Sequence, residues 1–98
     1  VLADRDAARH IGSFQLVEGR VHAVAVARGR GYINFGADWR TDFTITVPKR
    51  ALATFRTAFG RKMEKLTGKR VRVRGWLRRF NGPMIEATHP EQIEVLEK

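Results

Sequence analysis

The 98-residue chain has no cysteine, only three prolines, and few acids. Without thiols there is no disulfide framework and no thiolate chemistry, and the compartment is left open. No apolar run is long enough to span a bilayer, and the start lacks a signal-peptide pattern. The chain opens Val1-Leu2-Ala3-Asp4 with no Met, as expected of a fragment or a processed product. Catalytic signatures are missing too: there is no Ser-His-Asp arrangement, phosphate loop or dinucleotide glycine motif. His10, His22 and His89 lie far apart with no ligand spacing, so neither a metal nor a cofactor is expected. Asp38 and Asp42 flank Trp39-Arg40 and form a carboxylate pair. Two acids in a turn serve more often as caps and arginine partners than as catalysts. The expectation is a non-enzymatic chain.

What is abundant is positive charge. Nineteen Lys and Arg against ten Asp and Glu give a net charge of +9, with Arg the commoner cation. The planar guanidinium donates two parallel hydrogen bonds to phosphate. A basic surface also serves plain solvation, but in so small a domain it points to nucleic acid or another polyanion. The length allows one modest core and no more.

The central stretch is Gly31 to Pro48. In its second half Phe43, Ile45 and Val47 alternate with Asp42, Thr44 and Thr46, a period of two that separates an apolar face from a polar one. Gly36 and Asp38 supply a turn, so the stretch reads as a hairpin ended by Pro48. Before it, Phe14 to Ala27 reads as one long strand whose apolar phase changes between Val17/Val21 and Val24/Val26. Such a change marks a bulge or sharp bend. Arg28-Gly29-Arg30-Gly31 is a basic, glycine-rich turn. After Pro48, Leu52, Phe55 and Phe59 fall at helical spacing with Gly60 as the stop. A short basic stretch, Arg61 to Leu66, follows. Lys69 to Phe80 reads as a strand with Val71 and Val73 facing in and Arg70, Arg72 and Arg74 facing out. Asn81-Gly82 turns the chain into a return strand, Pro83 to Thr88. His89-Pro90-Glu91 breaks it, and Gln92 to Leu96 closes with another extended run. Residues 1–13 read as a short helix or a linker, and 14–98 as the domain proper.

Strand, strand, strand, helix, strand, strand is the order of a five-stranded Greek-key barrel with one α-helix between strands 3 and 4, the oligonucleotide/oligosaccharide-binding (OB) fold. The expected fold class is therefore mainly β and OB-like. Ligands of that fold cross strands 2 and 3, gripped by the loops after strands 1 and 4. Here those loops are Arg28 to Gly31 and Phe80 to Pro83.

Several segments also resemble the C-terminal domain of bacterial thermonuclease-family (staphylococcal-nuclease-like) proteins. They are Glu18-Gly19-Arg20-Val21, the run from Asn34 to Thr44, Val71-Arg72-Val73-Arg74-Gly75, and the long run from Asn81 to Ile93. The resemblance covers about Phe14 to the end. It implies an OB-type domain that follows a nuclease domain, often in exported proteins. The nuclease half is absent: no Asp-Gly-Asp-Thr segment and no Arg-plus-carboxylate cluster occurs, so no catalytic residue carries over.

Binders of single-stranded DNA or RNA combine a basic groove with aromatic platforms. The candidate nucleic-acid-binding residues are Arg28, Arg30, Tyr32, Trp39, Arg40, Arg72, Arg74, Arg78 and Arg79. Phe35 and Phe43 belong to the core. Tyr32 and Trp39 stand between surface platform and packing; Trp76 and Phe80, near the loop joining strands 4 and 5, are further candidate platforms, with Trp76 also a candidate interior filler; and the Arg70-Arg72-Arg74 row points outward, as a contact or as a solvated strand face. The alternative reading is an accessory domain that positions a neighbouring nuclease domain or pairs with a second copy of itself.

Overall fold

Alternation of apolar and polar residues lays out two sheets in a computed structural model, which describes residues 1–96. The first sheet holds β1 (Leu2–Ala3), β2 (Phe14–Arg20), β6 (Arg70–Trp76) and β9 (Ile93–Val95), in the order β1-β2-β6-β9. The second holds β3 (Ala23–Ala27), β4 (Arg30–Asn34), β5 (Thr44–Val47), β8 (Gly82–Glu86) and β7 (Arg78–Phe80), in the order β3-β4-β5-β8-β7. All pairings are antiparallel except β1 with β2 and β5 with β8.

Two strands are shared between the sheets, and this closes the barrel. The expected long first strand breaks at Val21-His22 into β2 and β3, where its apolar phase changes. Val17 and Val21 point into the core from one segment, and Val24 and Val26 pack against it from the next. Likewise Lys69 to Phe80 breaks at Leu77, whose side chain is buried, so β6 joins one sheet and β7 the other. The result is the mainly β, OB-like barrel with its helix between the third and fourth barrel strands.

That helix, α1 (Leu52–Phe59), is preceded by Pro48 and a 3-10 turn at Lys49–Ala51, and Gly60 ends it with φ 100°. Its buried residues are Leu52 and Phe55, with Phe59 against Phe55 at 6.0 Å between ring centroids. Ala58 faces solvent instead of the core. Leu52 and Met63 crowd onto Gly31 of β4; a Cβ there would lie 2.8 Å from the Met63 methyl. Absence of a side chain at Gly31 is what lets the helical cap approach the barrel end.

The inward rows are continuous. Val24, Ile33, Ile45 and Ile85 align across four strands, and Val17 stands opposite Val73. Phe43 and Phe35 join this core, their ring centroids 5.0 Å apart. Truncating a buried phenylalanine such as Phe55 costs about 3–5 kcal/mol, the scale on which this interior is held.

The first 13 residues, which read as a short helix or a linker, fold onto the barrel. Leu2 and Ala3 run parallel to Val17 and Glu18, and a 3-10 helix spans Asp4–His10. Ala7, fully buried, anchors it. Burial holds the carboxyl of Asp4 above the usual aspartate range, despite opposing backbone hydrogen bonds and the charge of Arg5. Among the described residues, no helix is long and apolar enough to cross a membrane.

Candidate nucleic-acid interface

The outward rows of the second sheet are short and small. Ala25, Tyr32, Thr46 and Glu86 align across β3, β4, β5 and β8; beside them run Ala23, Asn34, Thr44, Met84 and Arg78. Small residues at the centre with larger ones around them leave a groove of about 560 Å³. Its floor is Ala25 and Ala27 on β3, Tyr32 and Asn34 on β4, and Thr44 and Thr46 on β5. Three loops wall it: Arg28 at the β3–β4 turn, Trp39 between β4 and β5, and Phe80 with Asn81 at the β7–β8 turn.

Each wall has a local cause. Arg28 and Gly29 form a two-residue hairpin turn with φ of 54° and 77°. Positive φ at both positions matches a type I′ turn, which favours Asn and Gly. An arginine held there carries a strain on the order of 1 kcal/mol, and strain of this kind gathers at functional sites. In the β4–β5 loop the two carboxylates cap the turn. The Asp42 Oδ2 accepts the Asp38 amide at 3.0 Å, and Asp38 Oδ1 accepts the Arg40 amide at 3.1 Å. Asp38 and Asp42 therefore shape the loop that lifts Trp39 out of the surface, where it is 50% exposed. The guanidinium of Arg40 lies 4.7 Å from the Trp39 ring centroid. At the third wall Asn81 turns the chain with φ 65°, and Gly82 is already in β8. A Cβ on Gly82 would sit 2.7 Å from backbone atoms of Thr41 and Asp42, so glycine allows this hairpin to close against the β4–β5 loop.

Two side-chain contacts tie the floor together. Thr44 Oγ1 donates to Asn34 Oδ1 at 3.1 Å, and Thr46 Oγ1 lies 3.3 Å from Met84 Sδ. Both threonines are buried, because β5 is central to its sheet with neighbours on both sides. No carboxylate lines the groove, and Arg28 is its one charged lining residue among the described residues.

The structure divides the nine candidate residues. Arg28, Tyr32 and Trp39 line the groove, and Arg40 stacks behind Trp39. Arg30 shares the face but points at Glu86, Nη1 to Oε2 3.4 Å, which Arg50 also approaches at 3.7 Å. Arg78 shares the face, in register with Met84. Arg79 alternates to the other side of β7. Arg72 and Arg74 lie elsewhere, on the outer face of the first sheet. Arg72 binds Glu18 at 2.9 Å and approaches Glu94 at 4.0 Å, and Arg70 binds Glu18 at 2.8 Å. The hydrogen bond from Arg72, then that from Arg70, holds the Glu18 carboxyl below the usual glutamate range. The expected single basic row is thus divided by pairing: Glu18 occupies Arg70 and Arg72, while among the described residues Arg74 and Arg78 have no carboxylate within ion-pair distance.

Sequence reasoning missed Asn34 and Thr44 as groove residues, whereas Asn81 lies in the Phe80 to Pro83 loop expected to grip a ligand. The polar phase of the central hairpin was the available signal for the two missed residues. Trp76 is exposed instead of filling the interior. Among the described residues, no three metal-ligating side chains cluster.

This architecture recurs in solved structures. Asparaginyl-tRNA synthetase from Pyrococcus horikoshii superposes with a TM-score of 0.65 at 17% identity, covering 98% of this chain and 23% of that one. The S. pombe Stn1-Ten1 complex matches with a TM-score of 0.61 at 14% identity, over 87% of this chain and 59% of that one. An OBody bound to hen egg-white lysozyme gives 0.61 at 16% identity, over 93% and 86%. These similarities establish the OB-like fold, and this chain spans about a quarter of the synthetase's length. No family model and no curated protein sequence matches the chain.

Proposed function

We propose that this domain is a non-catalytic module that binds single-stranded DNA or RNA in the groove over β3, β4 and β5. The observation that carries this reading is the groove itself: free of acids, floored in part by Tyr32, walled by Trp39 and Phe80, and gated by Arg28. Bases stack on the three rings while the arginine meets phosphate; each stack is worth on the order of 1–3 kcal/mol. A small basic domain with net charge +9 attracts the strand and makes binding salt-dependent. An RNA-related neighbour of the same fold, a tRNA synthetase, is consistent with this reading. The thermonuclease-like motifs support a finer one, in which the module brings nucleic acid to a nuclease domain of an exported protein.

The test is fluorescence anisotropy of labelled single-stranded DNA, single-stranded RNA and duplex DNA at low and near-physiological salt. Preferential single-strand binding with quenching of Trp39 emission is expected. Equal, weak binding to all three that salt abolishes would leave only a generic basic surface.

A second reading is a protein-interaction module. It is favoured by two neighbours that are themselves protein complexes, Stn1-Ten1 and the lysozyme-bound OBody. Dimerisation of a domain indifferent to nucleic acid would favour it.

A further inference from the structure

Beyond the groove, a second exposed aromatic site runs along the shared strand. Arg74, Trp76, Arg78 and Phe80 occupy every second position of β6 and β7, and all four are exposed. Between them Gly75 and Leu77 are buried, so the outward phase continues across the break that transfers the strand from one sheet to the other. The outward side chains therefore alternate cation, ring, cation, ring, with about 6.6 Å between members of the same strand. Phe14, directly opposite Trp76 in the β2–β6 register, enlarges the second platform. The two rings meet edge to face, 5.8 Å apart at 82°. Phe14 is 54% and Trp76 56% exposed.

This row is continuous with the groove. Phe80 is a groove wall, while Trp76 and Arg78 line a neighbouring hollow of about 370 Å³ with Phe14 and Met84. Met84, which lines the hollow, contacts Thr46 of the groove floor. Glu86 also borders the hollow, with its charge met by Arg30 and Arg50. Among the described residues neither Arg74 nor Arg78 has a carboxylate within ion-pair distance.

We infer that the Arg74-Trp76-Arg78-Phe80 row, with Phe14, is a second subsite for the same nucleic-acid strand, followed as it leaves the groove past Phe80. This rests on the groove reading above. The occupant follows from the chemistry. Protein interfaces deplete charge at their core, whereas here each ring is flanked by a cation without an acidic partner, the alternation that bases and phosphates require.

The test uses labelled oligothymidylates of about 4 and about 12 nucleotides, within the range of site sizes for this fold. Both altered residues of Phe14→Ala/Trp76→Ala are exposed, and an unchanged melting temperature verifies folding. The pair should bind the longer strand about tenfold more weakly and the shorter one normally, the loss of roughly one stack. In Trp39→Phe, whose emission comes from Trp76 alone, the longer strand should quench and the shorter should not. Equal losses at both lengths, no loss at either, or unquenched Trp76 would overturn the subsite. Normal long-strand affinity together with loss of self-association would assign the rings to a protein contact and overturn it too. The groove is judged separately by Tyr32→Ala/Trp39→Ala, which should weaken both lengths; if it weakens neither, the groove reading itself fails.

Discussion

On the outer face of the first sheet, Arg70 and Arg72 close on Glu18; across the barrel, Arg28 stands over a groove with no acid in it. Both faces are arginine-bearing, and their chemistry is opposite. A guanidinium already hydrogen-bonded to a carboxylate must lose that partner before it can hold a phosphate. One without such a partner gives up only water. Net charge therefore describes long-range attraction, while the location of the acids decides where a strand settles. Glu18 occupies two arginines, and Glu86 faces two more.

The contrast can be broken by removing the groove. Replacing Arg28, Tyr32 and Trp39 together with Ala should weaken single-strand binding by about 100-fold or more, since two stacks and a phosphate contact are lost. Arg72→Ala should change the same titration by less than about twofold, because surface ion pairs matter little. Comparable losses from the two variants would erase the distinction between the faces.

A smaller effect comes from the hairpin that forms the third wall. Gly82→Ala pushes a methyl group into the backbone of the β4–β5 loop. Overpacking of this kind costs about 1–3 kcal/mol. The melting temperature should fall by several degrees or more, roughly 4–8 °C per kcal/mol for a domain of this size. Strand affinity should fall with it, because Phe80 and Trp39 are displaced relative to one another.

Glu18→Gln sharpens the comparison by making the faces alike. Arg70 and Arg72 lose their shared carboxylate, and weak, salt-sensitive binding to duplex DNA should rise in a filter or anisotropy assay. The folded-state pKa of Glu18 is lowered, so its ion pairs contribute stability fully above the ordinary glutamate range. That contribution is lost as pH falls through the lowered value. The variant should therefore melt lower than the parent at neutral pH, and the gap should close under acid conditions.

The smallest expected effect lies at Asp4, away from both faces. Its folded-state pKa is raised, so ionisation costs stability as pH rises through the ordinary aspartate range and then the folded value. Asp4→Asn keeps an acceptor for the neighbouring backbone amides. It should raise the melting temperature at neutral pH, with the advantage gone once the parent is protonated at low pH. A constant offset at every pH would point to packing instead.

Much of the barrel was legible because its signals are local. The alternation of Phe43, Ile45 and Val47, the phase change after Val21, and the helical spacing of Leu52 and Phe55 each need fewer than a dozen residues to read. The site was legible only in part. Arg28, Tyr32 and Trp39 announce themselves by residue type and by place in a loop or hairpin. Thr44 and Asn34 do not, since a polar phase reveals an outward side without revealing what stands beside it. Arg30 was read as a ligand contact because its partner Glu86 is 56 positions away. Arg72 was grouped with Arg74 and Arg78 because its partner Glu18 is 54 positions away. The N-terminal residues were obscure for the same reason, as pairing of Leu2 with Val17 is a long-range event.

The parallel pairing of β5 with β8 has a kinetic consequence. Thr46 and Met84 touch across 38 positions of chain, so this seam closes around the helix and β6 rather than through a hairpin. Distant contacts of this kind slow folding relative to local pairings. The groove floor lies on one side of that seam and the walls at Phe80 and Asn81 on the other. A chain with that seam open, however basic, thus lacks the complete groove: its floor and its third wall meet only in the closed barrel.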